Sequence, residues 1–280
     1  MQIGVMSGTL LRDNLEARLD AVREYGFSCV QFSLSCAGLD PMPDEIDPVD
    51  CDRIRLRMTR RDITMSAVSG TFNMIHPDVA QCQQGLRRLQ TLARAATRMG
   101  TSLITLCTGT RDPESMWRRH PDNDSPEAWY DLLGTMEQAI ALTEGSGVSL
   151  LIEPEVSNVV DSARDARRLI DEIGSPRLKV CMDGANLFHA GELPRMPEIL
   201  DEAFDLLGAD IVLAHAKDLD RDGQAGHLAA GTGLLDYDRY LSHLQAAGFD
   251  GALILHSLSE SQVPRSRAFI SEKLQHLTGR

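Results

Sequence analysis

The chain has 280 residues, of which 42% are hydrophobic and 25% charged, a composition typical of a folded globular protein with a large core. Its formal net charge of −13 disfavours a nucleic-acid partner, because binding to a phosphate backbone normally needs clustered lysine and arginine. We find no secretory signal, no long apolar run and no Cys-x-x-Cys pair among the six cysteines, so we expect a cytoplasmic protein with reduced thiols and no membrane partner.

Segments with strand and helix patterns alternate along the whole chain, which predicts a parallel sheet covered by helices. The predicted strands are residues 2–6, 29–34, 63–69, 102–107, 148–152, 178–182, 211–214 and 252–255. The predicted helices are residues 14–25, a helix ending near 61, one ending at 100, one beginning at Ser125 with Pro126 at its first position, and residues 162–173, 197–207, 237–247 and 264–277.

Eight strand and helix pairs predict a closed (β/α)8 TIM barrel, a fold that typically takes about 250 residues. An open doubly wound sheet is disfavoured, because no Gly-x-Gly-x-x-Gly motif follows the first strand. We therefore expect residues 1–280 to form a single barrel domain.

Four of the predicted strands end in a residue that can bind a divalent metal. These residues are Glu153, Asp183, His215 and His256. Each alone could cap a helix or pair with a neighbour, but the C-terminal ends of parallel barrel strands share one rim, which would bring all four together. Oxygen and nitrogen ligands suit several divalent ions, and the absence of a cysteine ligand argues against a structural zinc. We expect Mn²⁺, with Mg²⁺, Co²⁺ or Zn²⁺ as alternatives.

The connection after the fourth strand, residues 108–126, is unusually long and contains Trp117, Arg118 and two further arginines. Loops of this length inside a compact domain are usually functional or disordered, and the tryptophan and arginines argue against disorder. We predict a lid in which Trp117 and Arg118 bind substrate, with an oligomer contact as the alternative.

Five short motifs occur along the chain in a characteristic order. They are Asn-Met-Ile-His-Pro-Asp at 73–78, Ile-Glu-Pro-Glu at 152–155, Met-Asp-Gly-Ala-Asn at 182–186, His-Ala-Lys-Asp at 215–218 and Gly-Thr-Gly-Leu-Leu-Asp at 231–236. In this order and spacing the chain resembles the sugar phosphate isomerase/epimerase family with a xylose isomerase-like barrel. That family includes ketose 3-epimerases, hydroxypyruvate isomerase and inosose dehydratase.

The resemblance implies a metal held by Glu, Asp, His and a final Glu, with the first and last Glu acting as acid and base. The first three positions match Glu153, Asp183 and His215, whereas the fourth holds His256. Glu260, four residues further on, is the alternative fourth ligand or acid/base. Because imidazole can both bind a metal and carry a proton, metal binding survives this change more easily than a mechanism that needs two glutamates.

The resemblance also implies the activity, an isomerase or epimerase acting on a small ketose or keto-sugar. Glu153 would remove the proton α to the carbonyl, a metal-stabilised enediolate would form, and His256 or Glu260 would be the second catalytic group. The alternative is a lyase or dehydratase acting on a 3-keto sugar or inosose. A non-catalytic sugar-binding barrel is a less favoured reading, and a DNA-repair endonuclease of the same superfamily is disfavoured by the negative net charge.

Further substrate-binding candidates lie near these motifs. His76 and Arg221 lie where similar proteins direct a histidine and an arginine at substrate; the alternatives are a helix-start histidine and a solvated loop charge. Lys217 shares the rim with His215, and Asn186 is expected to touch substrate or to orient Asp183. The expected partner is a small-molecule sugar, and this family commonly forms homodimers or homotetramers.

Overall fold

The computed structural model describes residues 1–278, and its centre is a closed barrel of eight parallel strands. The ring closes because the last barrel strand pairs with the first and with the seventh. The barrel strands are β1 (Gln2–Met6), β2 (Cys29–Phe32), β3 (Thr64–Ser69), β4 (Leu103–Leu106), β5 (Ser149–Ile152), β6 (Leu178–Asp183), β7 (Ile211–Asp218) and β9 (Ala252–Leu255), and the short strand β8 (Leu228–Ala229) is not part of the barrel. This architecture confirms the predicted (β/α)8 barrel.

In the described residues, eight α-helices follow the barrel strands and cover the outside of the barrel. They are α1 (Leu15–Glu24), α2 (Pro48–Thr59), α3 (Val79–Met99), α4 (Pro126–Thr143), α5 (Ala163–Ile173), α6 (Met196–Leu207), α7 (Tyr237–Ala246) and α8 (Val263–Thr278). The predicted cap of α4 is confirmed, since the Ser125 side chain accepts a hydrogen bond from the Ala128 backbone N–H. Among the described residues, no helix is both long and apolar enough to cross a membrane.

The largest departure from the predicted elements lies in β7. The prediction ended this strand at residue 214, whereas the observed strand continues to Asp218 and pairs antiparallel with a two-residue strand, β8 (Leu228–Ala229). The extension carries His215 and Lys217 as alternate residues of one strand, so both side chains point to the same face of the sheet. That face is the interior of the barrel.

Below the rim, small and medium apolar side chains fill the barrel interior. These are Cys29, Ala67, Leu151, Cys181, Leu213, Ala252 and Ile254. Gly4 on β1 is required for this packing, because a Cβ added there would lie 2.6 Å from the Ile254 side chain and 2.7 Å from Cys29 Sγ. The barrel interior is thus filled by packed side chains beneath the rim, and a cavity lies at the C-terminal end of the strands.

Candidate active site

The four predicted ligand residues meet at the C-terminal rim of the barrel. The Cα atoms of Asp183 and His215 are direct partners across β6 and β7. His215 Nδ1 lies 3.4 Å from Glu153 Oε2 and 3.5 Å from Asp183 Oδ2, and the His256 and His215 ring centroids are 5.0 Å apart. The ligand atoms of Asp183, His215 and His256 all lie within 4.8 Å of one another. Glu153, Cys181 and His215 form a second group of this kind, so His215 belongs to both groups.

A glutamine from the second strand orients His215. The Gln31 amide nitrogen donates hydrogen bonds to Ser69 Oγ and Thr105 Oγ1, at 3.2 and 3.1 Å. Its amide oxygen therefore faces His215 Nε2, 2.8 Å away, and this oxygen can only accept. The proton of a neutral His215 must then be on Nε2, which leaves the Nδ1 lone pair directed at the carboxylates.

Two buried nitrogens of this site, His215 Nδ1 and His256 Nδ1, have no hydrogen-bond partner among the described residues, while Asp183 Oδ2 has its ion pair with Lys217. An unpaired buried polar atom costs about 1–3 kcal/mol, so two within one site call for an explanation. One oxygen and two nitrogen donors converging on one point are the ligand types that bind first-row divalent ions. The residues present therefore fit a divalent metal, and Glu153 is placed to complete the set.

A buried asparagine fixes the orientation of Glu153. Asn186 Nδ2 donates to Glu153 Oε1 at 2.7 Å, while Asn186 Oδ1 accepts from the Gly226 backbone N–H at 3.1 Å. Because both ends of the amide are engaged, it cannot rotate freely, and the second carboxylate oxygen is held facing His215. Asn186 was predicted to touch substrate or to orient Asp183, whereas in the structure it bonds Glu153.

Electrostatic interactions give the two histidines opposite charge preferences. Burial alone would lower the pKa of His215, but the Cys181 side chain and the carboxylates of Glu153 and Asp183 outweigh burial and raise that pKa well above its usual value. Burial, assisted by Lys217 and His215, lowers the pKa of His256 well below its usual value. His256 is therefore ready to bind a metal as a neutral imidazole, whereas His215 must first lose a proton.

Lys217 places a buried positive charge in the same site. Its Nζ lies 3.2 Å from Asp183 Oδ2, and the side chain is only 4% exposed. Burial opposes the charge on Asp183, but the nearby Lys217 and His215 more than compensate and keep the pKa of Asp183 below its usual value. The Asp183 carboxylate therefore stays ionised.

Above the ligands lies a cavity of about 370 Å³, within the size range of small-molecule sites. Its wall includes Glu153, His215, Lys217 and His256, and Trp117 from the long loop lies against it. It also includes several residues that the sequence analysis did not single out, namely Met6, Gln31, Ser69, Thr71, Thr105, Leu106, Cys107, Asn158 and Ala225. The cavity thus combines an apolar wall with a few directed polar groups.

Comparison with known proteins supports the same family. A model of the xylose isomerase-like TIM barrel family matches residues 19–277. The chain belongs to this family. Among curated proteins, no relative matches the sequence.

Solved structures of similar shape include several sugar-modifying enzymes. The L-ribulose 3-epimerase structure is 17% identical, with a TM-score of 0.75 over 98% of this chain and 95% of that chain. The apo 3-keto-D-glucoside 4-epimerase from E. coli is 16% identical, with a TM-score of 0.71 over 97% and 99%. The probable 3-DHS dehydratase from Bacillus anthracis is 13% identical, with a TM-score of 0.75 over 97% and 99%. At these identities the matches show the shared fold.

In this xylose isomerase-like barrel, two predicted loop residues lie outside the cavity wall. Arg118 donates to both Asp112 oxygens and to Glu114 Oε2, so its charge is neutralised within the loop. His76 lines a neighbouring cavity, where its Nε2 lies 3.2 Å from the Pro113 carbonyl oxygen. Of the two predicted lid residues, only Trp117 lines the site.

Two further candidates are also placed elsewhere. Glu260 is 2.7 and 2.9 Å from the Arg12 guanidinium and accepts from the Tyr25 hydroxyl at 3.1 Å, and it does not line the cavity. Arg221 is 61% exposed beside Asp220 and is likewise absent from the wall. Of the two predicted candidates for the fourth ligand, His256 lies with Asp183 and His215, whereas Glu260 does not line the cavity.

The cavity also contains a second acidic residue, Glu155, which is 7% exposed. Burial, and then the charge of Glu153, raise the pKa of Glu155 to about 7. From its position after Glu153 and Pro154, the sequence favours a structural partner of the site over a base for Glu155.

Proposed function

We propose that this protein is a divalent-metal-dependent sugar isomerase or epimerase that acts on a small ketose or keto-sugar by abstracting the proton α to the carbonyl. The observation that carries the proposal is the convergence of ligand atoms from Asp183, His215 and His256, the two histidine nitrogens buried and unpaired, beside an oriented Glu153. The family membership and the epimerases among the structural neighbours are consistent with this chemistry.

A bound divalent ion would polarise the substrate carbonyl and its adjacent hydroxyl, and thereby acidify the α-proton. Glu153 is the base, because Asn186 holds one of its oxygens and the other faces the ligand site. A positioned base of this kind typically contributes 10²- to 10⁴-fold to the rate. The packed barrel interior below and Trp117 above limit water access around the reacting atoms.

His256 is the second acid/base group, on the opposite side of His215 from Glu153. Its ring lines the cavity, and its lowered pKa favours a neutral imidazole. As a metal ligand through Nδ1, it would carry its proton on Nε2 and would therefore act as the proton donor, with that proton restored from solvent. Return of a proton from this side would invert the configuration of the substrate carbon.

A second candidate activity is a dehydratase or lyase acting on a 3-keto sugar or inosose. It is favoured by the histidine at position 256, which stands where the family pattern has the second glutamate of the two-glutamate epimerase mechanism. Both activities share the Glu153 step and differ in what happens to the resulting carbanion.

Solvent-deuterium exchange distinguishes these activities. The protein is loaded with Mn²⁺ and incubated in D₂O with D-fructose, D-tagatose, L-ribulose and 3-keto-glucosides, and mass spectrometry reports deuterium uptake or loss of water. We expect metal-dependent uptake at one carbon, reduced at least about 100-fold by Glu153→Gln and unchanged by Glu260→Gln. An unsaturated product would favour the dehydratase. Absence of both uptake and product would contradict both activities.

A further inference from the structure

Asn158 is buried in the wall of the cavity, and its orientation is fixed by three donors. Asn158 Oδ1 accepts from the Gly109 backbone N–H at 2.8 Å, from Cys107 Sγ at 2.9 Å and from Thr108 Oγ1 at 3.4 Å. Burial raises the pKa of the Cys107 thiol far above its usual value, so the sulfur keeps its proton and donates it. The amide oxygen and nitrogen are therefore assigned without ambiguity.

The other end of this side chain is unpaired. Asn158 Nδ2 is buried and has no hydrogen-bond partner among the described residues, although Asn158 is only 1% exposed. Other residues with buried unpaired atoms, such as Arg18, Arg167, Ser266 and Arg267, do not line this cavity. Apart from the metal-site histidines, Asn158 is the cavity residue in the described chain that combines burial with an unsatisfied polar atom.

The segment that carries Asn158 is held in place on both sides. The Val159 backbone N–H donates to the Gly109 carbonyl at 2.9 Å, and the Val160 backbone N–H donates to Thr108 Oγ1 at 3.3 Å. An unpaired buried donor costs free energy in the ligand-free protein, and rigid anchoring prevents its relief by rotation. A ligand atom that accepts from Nδ2 would remove this cost.

We propose that Asn158 is a specificity-determining substrate-binding residue, whose Nδ2 donates a hydrogen bond to a hydroxyl or carbonyl oxygen of the substrate. This inference rests on the proposed sugar-directed function. It adds that Asn158 recognises one oxygen of the substrate. A site that pairs a buried donor with a substrate oxygen discriminates strongly against an analogue that lacks that oxygen. A deoxy analogue of the true substrate, which lacks the oxygen that accepts from Asn158 Nδ2, should therefore bind about 10- to 100-fold more weakly.

The direct test is side-chain amide NMR on the Mg²⁺-loaded protein, titrated with D-fructose, D-tagatose and L-ribulose. The Asn158 NH₂ pair is assigned by its loss in Asn158→Asp, which keeps the anchored oxygen. The Trp117 indole is the reporter for cavity occupancy, and it is separable from the indole of Trp129, the other tryptophan, which donates to Glu172. Asn123→Asp is the matched control, because Asn123 is buried with both amide ends engaged outside the cavity.

We expect one ketose to shift both the Trp117 indole and the Asn158 NH₂ pair, and Asn158→Asp to weaken its affinity about 10- to 100-fold while Asn123→Asp leaves it unchanged. A ketose that shifts Trp117 without shifting Asn158 would overturn this inference and leave the proposed function standing. If no ketose shifts either signal, the proposed function fails and this inference fails with it.

Discussion

Gln31 offers a sharp test of the metal site, because it contacts His215 without being one of the four candidate ligand residues. In Gln31→Leu, His215 Nε2 loses the acceptor 2.8 Å away, and within residues 1–278 its remaining hydrogen-bond partner is Cys181 Sγ, at 3.4 Å. The imidazole is then free to change tautomer or rotate, so that Nδ1 no longer points at the carboxylates. Loss of such an orienting partner typically weakens metal affinity about 10- to 100-fold, which corresponds to about 1.4–2.7 kcal/mol.

Isothermal titration with Mn²⁺ measures this change directly, and circular dichroism checks that the variant is folded. Gln31→Glu keeps an acceptor for His215 and should retain most of the affinity. Gln2→Leu is the matched control, since Gln2 also lies on a barrel strand and bonds a serine, Ser28, at 2.7 Å, but far from the site. A folded Gln31→Leu protein that binds Mn²⁺ as tightly as wild type would refute the claim that Gln31 directs His215 at the metal.

Three further predictions concern charged residues in the site and near it. Lys217→Met removes the cation 3.2 Å from Asp183 Oδ2, so the metal-free protein should lose about 3–5 kcal/mol of stability and gain more from added Mn²⁺ than wild type does, as thermal melts will report. The raised pKa of His215 means that Mn²⁺ must displace its proton, so affinity should rise up to tenfold per pH unit below that pKa and then level off. A pH-independent affinity between pH 6 and 8 would contradict this. Glu260→Gln weakens the ion pair with Arg12, whose side chain is 32% exposed, and should cost about 1 kcal/mol or less without changing Mn²⁺ affinity. Loss of Mn²⁺ binding in this variant would instead show that Glu260 is needed at the metal site.

The fold was predictable because its signals are local. Apolar strands, helix periodicity and capping residues recur in each unit, and the polar residues Glu153 and Asp183 stand immediately after strand-like runs. Barrel closure then converts distant positions into neighbours, since parallel strands place their C-terminal ends at one rim. The placement of the four ligand residues therefore required no information beyond strand order.

The remaining features depend on contacts between distant segments. Gln31 lies within a strand, and its role is visible only from its bonds to Ser69, Thr105 and His215. Arg118 looked like a free cation in the sequence, whereas in the structure Asp112 from the same loop neutralises it. Loop paths and their ion pairs are set by tertiary packing, which a periodic pattern does not encode.

The central claim is that one divalent ion binds at the barrel rim. The most direct test is an anomalous-difference map from crystals soaked in Mn²⁺. We predict a single strong peak in contact with Glu153, Asp183, His215 and His256, at ligand distances of about 2.0–2.3 Å. An ordered site without a peak, or a peak held by other residues, would contradict the account.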